Sequence, residues 1–212
     1  RWLLGATGAA VAGCLTPSDT VYCCLPLHHA TGLILGAGGA LVGGSRLVLS
    51  SRFSISSFWK DVRQCGATVV FYVGELCRYL VTAPDLPCEK NHSVRLFIGN
   101  GMRQDVWSEL LRRFGKVRVL EFYASTEGNA VLANLSGEKV GSVGRAPILA
   151  PDLELVRYDV ENQAFIRDSH GRLLLCDDLE GGMLISKISD LNPFSRFDLN
   201  RIYCVSIKLG LS

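Results

Sequence analysis

The sequence lacks several features that would assign it quickly to a class of protein. It has no block of Lys and Arg, and its formal net charge is only +2, so a nucleic-acid partner is not indicated. Its eight cysteines form no C-x-x-C pair, which argues against a zinc ribbon or a thioredoxin-like site. Several of them stand inside apolar runs, where a reduced thiol behaves as a small hydrophobe. We therefore expect a reducing compartment.

A hydrophobic run long enough to cross a bilayer is also missing. The longest charge-free apolar span, residues 30–44, is rich in glycine and shorter than the ~20 residues that a membrane helix needs. We interpret it as a buried helix between sheet layers. No signal peptide is recognisable, and the chain opens at Arg1 within a helix-like segment. We expect it to be a piece of a longer protein, with membrane contact supplied by segments outside this chain.

Familiar ligand-binding loops are incomplete or absent. In Gly36–Gly39 the third glycine of a G-x-G-x-x-G fingerprint would fall at Leu41, and after Gly99-Asn100-Gly101 it would fall at Gln104. No G-x-x-x-x-G-K-[ST] loop and no G-x-S-x-G elbow occur. Gly99–Gly101 does follow a predicted strand and precede a predicted helix. A plain turn and a turn that lets the backbone approach a ligand are both compatible with it.

What is present is the composition of a globular domain with a parallel sheet. Hydrophobic residues make up 48% of the 212 residues and charged ones 20%, enough to bury about 70% of the unfolded surface. Strand-like and helix-like segments alternate from the start to about residue 122. The predicted strands are Thr20–Leu25, Arg46–Leu49, Thr68–Tyr72, Arg95–Ile98 and Arg118–Phe122. We predict an α/β fold, a parallel sheet with helices on both faces.

The pattern changes near Gly128. Short β-like pieces follow, separated by turn signals; they are Ala130–Leu135, Leu153–Tyr158, Arg172–Leu175 and Met183–Ile188. We predict three regions: an α/β core at residues 1–135, a partial β-rich subdomain at 136–195 and a divergent tail at 196–212.

The most informative segment is Phe122–Gly128, which follows a short apolar run. Ligands of parallel sheets bind off the carboxyl ends of strands. Tyr123 offers a flat face for a nucleobase, Ala124 leaves room at the backbone, Thr126 can donate to a phosphate oxygen, and Glu127 suits Mg²⁺. A helix start with Thr126 as the cap explains the same residues.

The pair His28-His29 stands at another predicted strand end, after Pro26. Adjacent side chains on an extended backbone point opposite ways, so the pair makes a poor chelate. One imidazole lining a cleft and a polar residue at the edge of the core both fit this position.

Four segments in order give the chain a family resemblance. They are Leu25–Gly32, Tyr72–Leu80, Gly99–Arg103 and Glu121–Gly128. Together they resemble the fatty acid transport proteins, also called very long-chain acyl-CoA synthetases, a branch of the adenylate-forming ligases. The Tyr-x-x-Thr-Glu pattern is typical of the whole superfamily, and the resemblance runs from about residue 15 to about residue 195.

The resemblance implies a two-step activation of a fatty acid with ATP, Mg²⁺ and coenzyme A. It implies that the base is lined by Gly99, Asn100 and Gly101, and that Tyr123 stacks on it with Ala124 beside it. It further implies that Thr126 contacts the α-phosphate, that Glu127 holds Mg²⁺, and that His29 lies near the reacting carboxylate.

The same resemblance implies the limits of this chain. The family's phosphate loop, ribose-binding aspartate and lid lysine have no counterpart here, so we expect the chain alone to be inactive. The parent protein is expected at the endoplasmic reticulum or plasma membrane, with its catalytic part facing the cytosol. The alternative is a fatty acid binding or uptake protein in which catalysis is lost or secondary.

Overall fold

The computed structural model describes residues 2–86, 89–125, 129–146 and 153–187, and the backbone of 205–207. Two compact units share the chain. The first comprises Arg1–Tyr123 and Leu132–Arg145, and the second Ala124–Val131 and Ala146–Ser212. The domain limits that the sequence suggested stay a prediction.

A six-stranded sheet with the order β2-β1-β3-β4-β5-β6 forms the centre of the first unit. Strands β1 to β5 pair in parallel, which confirms the predicted fold class. The strands are β1 Thr20–Cys23, β2 Arg46–Leu49, β3 Val69–Val73, β4 Leu96–Asn100, β5 Arg118–Ala124 and β6 Val131–Asn134.

Helices cover both faces of this sheet. The chain moves one way along the sheet from β1 to β2 and the other way from β3 to β5, and right-handed crossovers then place the connecting helices on opposite faces. The helices are α1 Trp2–Gly13, a π-helix at Thr31–Gly38, α2 Gly39–Gly43, α3 Ile55–Cys65, α4 Gly74–Thr82 and α5 Gln104–Phe114.

The π-helix is a departure from the sequence-based expectation. A single helix was expected over residues 30–43, and the structure forms a π-helix at Thr31–Gly38 before the α-helical turn at Gly39–Gly43. Gly32, Gly36 and Gly38 are buried, so this segment packs its backbone directly against neighbouring elements. π-helical turns are frequent at functional sites, and this one lies on the connection that leaves the carboxyl end of β1.

The core between sheet and helices is largely aromatic and β-branched. Trp59 of α3 lies 4.5 Å from Phe114 of α5, measured between ring centroids. The largest fully buried side chains come from β3, β4, α3 and α5, and include Trp107, Tyr72, Phe58, Phe71, Phe97 and Phe114. Phe71 and Tyr72 are neighbours on β3 and point to opposite faces, so burial of these side chains stabilises the packing of helices on both faces of the sheet.

A charged cluster closes the amino-terminal edge of the sheet. Asp19, just before β1, is buried and accepts two hydrogen bonds from Arg95, from Nε and Nη2, each 2.9 Å long. The Thr68 hydroxyl donates to the same carboxylate at 2.7 Å. These three residues each precede a strand, so the cluster joins the starts of β1, β3 and β4.

The second unit is β-rich. Strand β10 Gly182–Ser186 pairs antiparallel with β7 Leu153–Val156 and with β11 Val205–Ile207, and β8 Tyr158–Asp159 pairs with β9 Ala164–Phe165. At the expected strand 172–175 the structure has isolated bridges through Leu173 and Leu175 instead. Most of the predicted tail lies outside the described residues.

Candidate functional site

The order of the strands marks where a ligand would bind to the first unit. Strand β1 lies between β2 and β3, and the chain leaves it toward β2, whereas the later connections run the opposite way. In sheets of this type a crevice opens outside the carboxyl ends of the strands at such a reversal. The turn with His28 and His29 follows β1, Gly74 follows β3, and Gly99–Gly101 closes β4.

The two histidines lie together rather than apart. The backbone forms a turn here, with the His29 N–H donating to the carbonyl of Pro26 at 3.1 Å. The two imidazole rings are 4.3 Å apart between centroids, and both residues are exposed. The expectation of opposite-pointing side chains was wrong, because it assumed an extended backbone. The role that the resemblance gives to His29 stays a prediction.

A side-chain contact joins the ends of β1 and β4. The hydroxyl of Thr31, the first residue of the π-helix, donates to Oδ1 of Asn100 at 3.5 Å. Asn100 is the last residue of β4 and pairs in register with Val73 of β3. The histidine turn and the Gly99–Gly101 turn therefore border the same part of the sheet edge.

The Gly99–Gly101 turn is packed backbone against backbone. Gly101 has a φ of 79°, a conformation that a residue with a side chain rarely adopts. A Cβ on Gly74 would overlap the carbonyl of Gly101, and a Cβ on Gly99 would overlap the carbonyl and the ring of Tyr72. The turn thus depends on Gly74 as well as on its own glycines.

A buried carboxylate lies directly behind this turn. Glu121 of β5 pairs in register with Gly99 and is only 2% exposed. Its Oε1 accepts the N–H of Gly101 at 2.5 Å and the N–H of Met102 at 3.1 Å. Its Oε2 accepts a hydrogen bond from the hydroxyl of Tyr72. All three donors are uncharged, so within the described part of the chain the carboxylate has no cation among its hydrogen-bond partners.

The buried environment raises the pKa values of both Glu121 and Tyr72. Burial raises the pKa of the Glu121 carboxyl, and the hydrogen bonds from Tyr72, Met102 and Gly101 oppose that rise. Burial, followed by the nearby Glu121 charge, raises the pKa of Tyr72 well above its usual value. Tyr72 is therefore a hydrogen-bond donor throughout the physiological range.

Tyr123 lies two residues further along β5, on the same face of the strand as Glu121. It is partly exposed, and among the described residues its buried hydroxyl has no hydrogen-bond partner. Burial raises the pKa of that hydroxyl. Ala124, the last residue of β5, is exposed. Their part in binding a base stays a prediction.

Thr126 and Glu127 lie outside the described residues, and so does Gly128. The phosphate contact of Thr126 and the metal-binding role of Glu127 therefore stay predictions. Within residues 2–86, 89–125, 129–146 and 153–187, no group of three or more His, Cys, Asp or Glu side chains is placed to hold a metal ion. No helix in the described part of the chain combines the length and hydropathy that crossing a membrane requires.

The sequence reading gave no role to Glu121 or Tyr72. A signal was available, because Glu121 stands inside the otherwise apolar run Val119–Tyr123 at a position that points into the core. A charged residue at such a position is rare unless it is paired. The sequence could not identify its partners, since Tyr72 is 49 residues away.

Comparisons with known proteins agree with this architecture. Residues 4–177 match the family model described as AMP-binding enzyme. The chain is 42% identical to long-chain fatty acid transport protein 2 of Rattus norvegicus over 191 residues, which are 89% of this chain and 31% of that protein. It is 43% identical to long-chain fatty acid transport protein 6 of Mus musculus over 195 residues, 91% of this chain and 31% of that protein. The chain thus spans about a third of these curated relatives.

Solved structures of ligases share the fold. A benzoate CoA ligase from Burkholderia xenovorans LB400 superposes with a TM-score of 0.66 at 21% identity, covering 90% of this chain and 39% of that one. ATP-bound MatB from Rhodopseudomonas palustris gives a TM-score of 0.65 at 21% identity, covering 86% and 35%. With the sheet-edge geometry and the family match over most of its length, the chain belongs to the AMP-binding enzyme family, and it resembles the long-chain fatty acid transport proteins.

Proposed function

We propose that the protein to which this chain belongs activates long-chain fatty acids in two steps. The fatty carboxylate attacks the α-phosphorus of ATP, and pyrophosphate leaves as acyl-adenylate forms. The coenzyme A thiolate then attacks the acyl carbonyl, a thioester forms, and AMP leaves. The catalytic demand of the first step is positioning and charge stabilisation at phosphorus.

The observation that carries this proposal is the sheet edge of the first unit. The glycine turn after β4, the aromatic Tyr123 on β5 and the histidine turn after β1 all stand at the carboxyl ends of strands, and the strand order reverses beside β1. A nucleobase needs a flat face and a backbone edge, and this arrangement offers both. The identity to fatty acid transport proteins supports a fatty acid as the acid substrate.

Each residue has a stated part in the proposal. Tyr123 stacks on the adenine, Gly99–Gly101 line its edge, and His29 orients the fatty carboxylate. Thr126 contacts the α-phosphate. Bound Mg²⁺ would neutralise charge on the phosphates, with Glu127 as its protein ligand. Coenzyme A enters as the second substrate.

The proposal is tested by fatty acid-dependent exchange between ATP and pyrophosphate. In the full-length protein we expect Thr126→Ala and Glu127→Ala to lower the exchange rate at least about a hundredfold, as the loss of a group that stabilises charge in a transition state does. Ser125→Ala, next to them in the sequence, is the matched control and should retain exchange. Rates in both variants that equal the unaltered protein would refute these two roles.

A second function is favoured by the relatives, which are named as transport proteins. In that alternative the protein binds or takes up fatty acids, and activation is absent or secondary. The same exchange assay separates the two. Saturable fatty acid binding without any fatty acid-dependent exchange supports the transport function and contradicts the ligase.

We further propose that membrane association, at the endoplasmic reticulum or the plasma membrane, comes from segments outside this chain, and that the catalytic part faces the cytosol. Expressed by itself, the 212-residue chain should form no oleoyl-CoA from oleate, ATP, Mg²⁺ and coenzyme A, since the resemblance places the phosphate loop, the ribose-binding aspartate and the lid lysine of the family outside this chain. Product above a blank without protein would contradict that expectation.

A further inference from the structure

We propose that Glu121 is a positioning residue that holds the Gly99–Met102 turn in the conformation that recognises the edge of the nucleobase, and that Tyr72 holds Glu121. This inference rests on the proposed nucleotide site. It adds two residues from the interior of the sheet that do not themselves contact the nucleotide.

The first support is the alignment of three strands. Tyr72 of β3 is in register with Gly99 of β4, and Gly99 is in register with Glu121 of β5. All three residues therefore stand in one row on the same face of the sheet. Gly99 has no side chain, and a Cβ there would collide with the Tyr72 ring. The glycine leaves the space through which Tyr72 reaches across β4 to Glu121.

The second support is the use of both carboxylate oxygens. Oε2 is taken by the Tyr72 hydroxyl, and Oε1 accepts the amides of Gly101 and Met102. These amides belong to the turn in which Gly101 has a φ of 79°. A backbone in that conformation, one residue beyond the end of a strand, loses its ladder partners. Glu121 supplies the missing acceptor and so fixes the direction of the turn.

The third support is that, among the described residues, no hydrogen-bonded cation offsets the free-energy cost of burying the Glu121 carboxylate. Its hydrogen-bond donors are a phenol and two amides, and burial raises the pKa of the carboxyl. An apolar residue would fill the core without that cost. Holding the Gly99–Met102 turn is the compensating role that this position offers, because the turn has no other side-chain acceptor for these two amides among the described residues.

The test uses the full-length protein and four variants. Glu121→Met keeps the length of the side chain and removes both acceptors. Glu121→Gln keeps one oxygen for the two turn amides. Tyr72→Phe removes only the bond to Oε2. Asp19→Asn is the matched control, since it alters another buried carboxylate of the same sheet, at the opposite edge.

Two readouts are measured for each variant. The first is binding of ATP and of GTP by calorimetry, and the second is fatty acid-dependent exchange between ATP and pyrophosphate. For Glu121→Met we expect ATP affinity and the preference for ATP over GTP each to fall about tenfold, the equivalent of one net hydrogen bond. The KM for the fatty acid should change less than about twofold, because the acid is held elsewhere.

The other variants rank the contributions. Glu121→Gln should restore base preference to within about threefold of the unaltered protein, and Tyr72→Phe should lose about threefold, since each leaves the two turn amides with an acceptor. Asp19→Asn should lower the melting temperature without changing base preference. Glu121→Met with unchanged ATP affinity and base preference would overturn the inference, as would an equal change in Asp19→Asn.

Failure of the inference can be told from failure of the proposed function. An unaltered protein that binds ATP but shows no exchange refutes the ligase reaction, and the binding data on the variants still decide the role of Glu121. An unaltered protein that exchanges, with Glu121→Met unchanged, refutes the positioning role alone. An unaltered protein that does not bind ATP refutes both.

Discussion

Two buried carboxylates at opposite edges of one sheet behave in opposite ways. Asp19, at the amino-terminal edge, is held by the guanidinium of Arg95, and its pKa is lowered well below its usual value, mainly by that hydrogen-bonded pair. Glu121, toward the carboxyl-terminal edge, meets uncharged donors among the described residues, and burial raises its pKa. The same chemical group is thus stabilised as an anion at one edge and penalised as an anion at the other.

The difference follows from what each edge does. The charged cluster at the amino-terminal edge joins the starts of β1, β3 and β4. Ligands of parallel sheets bind at the opposite edge, so a charge pair here does not occupy a ligand site. The carboxyl-terminal edge holds a turn in which Gly101 is exposed, and a cation such as Arg beside it would fill the space over the glycines. Uncharged donors keep Glu121 in place and leave the turn open.

The largest effect on stability is expected from Arg113. Its side chain is 3% exposed, pairs with the buried Glu89 at 2.6 Å, and donates to the carbonyls of Val81 and Ala83 at 2.8 and 2.6 Å. Arg113→Met in the full-length protein should lower the free energy of unfolding by about 3–5 kcal/mol, because the buried carboxylate of Glu89 loses its hydrogen-bonded guanidinium partner.

The neighbouring arginine provides the control. Arg112 pairs with Glu109 at 2.5 Å, and its side chain is 64% exposed, so Arg112→Met should lower the free energy of unfolding far less than Arg113→Met, because water screens an exposed pair. Both variants are measured by urea unfolding. Equal costs at the two positions would show that burial of the pair does not decide its contribution.

The second largest effect is expected at the carboxyl-terminal edge, where Gly74 packs against the Gly99–Gly101 turn. Gly74→Ala places a Cβ against the carbonyl of Gly101, so the turn must move. We expect a loss of about 1–3 kcal/mol in unfolding free energy together with weaker ATP binding in calorimetry. Gly8→Ala is the control, because a Cβ there meets no atom within 4 Å, and in a helix it should stabilise by about 0.5–1 kcal/mol. Unchanged ATP binding in Gly74→Ala would show that the packing of α4 against the Gly99–Gly101 turn does not affect nucleotide binding.

The third effect concerns Asp19 and its pH dependence. Because its folded-state pKa is lowered, the carboxylate adds stability above its unfolded pKa of about 3.9, and that stability is lost as pH falls through the lower folded value. Asp19→Asn should cost about 2 kcal/mol at pH 7 and flatten the acid limb of a plot of unfolding free energy against pH. An acid limb of unchanged slope would assign the acid sensitivity to other carboxyls.

The smallest effect is expected from His92, in the loop before β4. Its ring stacks on Trp59 at 4.8 Å, Nδ1 accepts the N–H of Val94 at 3.1 Å, and Nε2 donates to the carbonyl of Phe114 at 3.0 Å. Burial lowers the pKa of His92. The neutral ring is therefore favoured by folding, and stability should fall as pH drops below about 6.5, the unfolded value.

His92→Gln should remove this step at a cost of about 1 kcal/mol at pH 7. Unfolding free energies at pH 7.5 and 5.5 in both proteins provide the measurement. A step of the same size in the variant would show that another group titrates in this window.

The sequence anticipated much of the fold because its signals are local. The strand Arg46–Leu49 has the predicted bounds, since the apolar pattern of a strand acts within one element. The π-helical start at Thr31 and the isolated bridges near Leu173 were missed. Both depend on how neighbouring segments pack, which a single stretch of sequence does not encode.

The sequence alone was sufficient for features that lie within one segment. Alternating strand-like and helix-like segments predicted the α/β class. The glycine turn at Gly99–Gly101 and the aromatic Tyr123 after a buried run predicted the candidate sheet edge. Only the tertiary structure decided how Glu121 is used. Its acceptors meet Tyr72 and the Gly101 amide because parallel register aligns three strands that are distant in the chain. Propensity acts over a few residues, whereas the environment that sets the charge state of a buried carboxylate is assembled across the sheet.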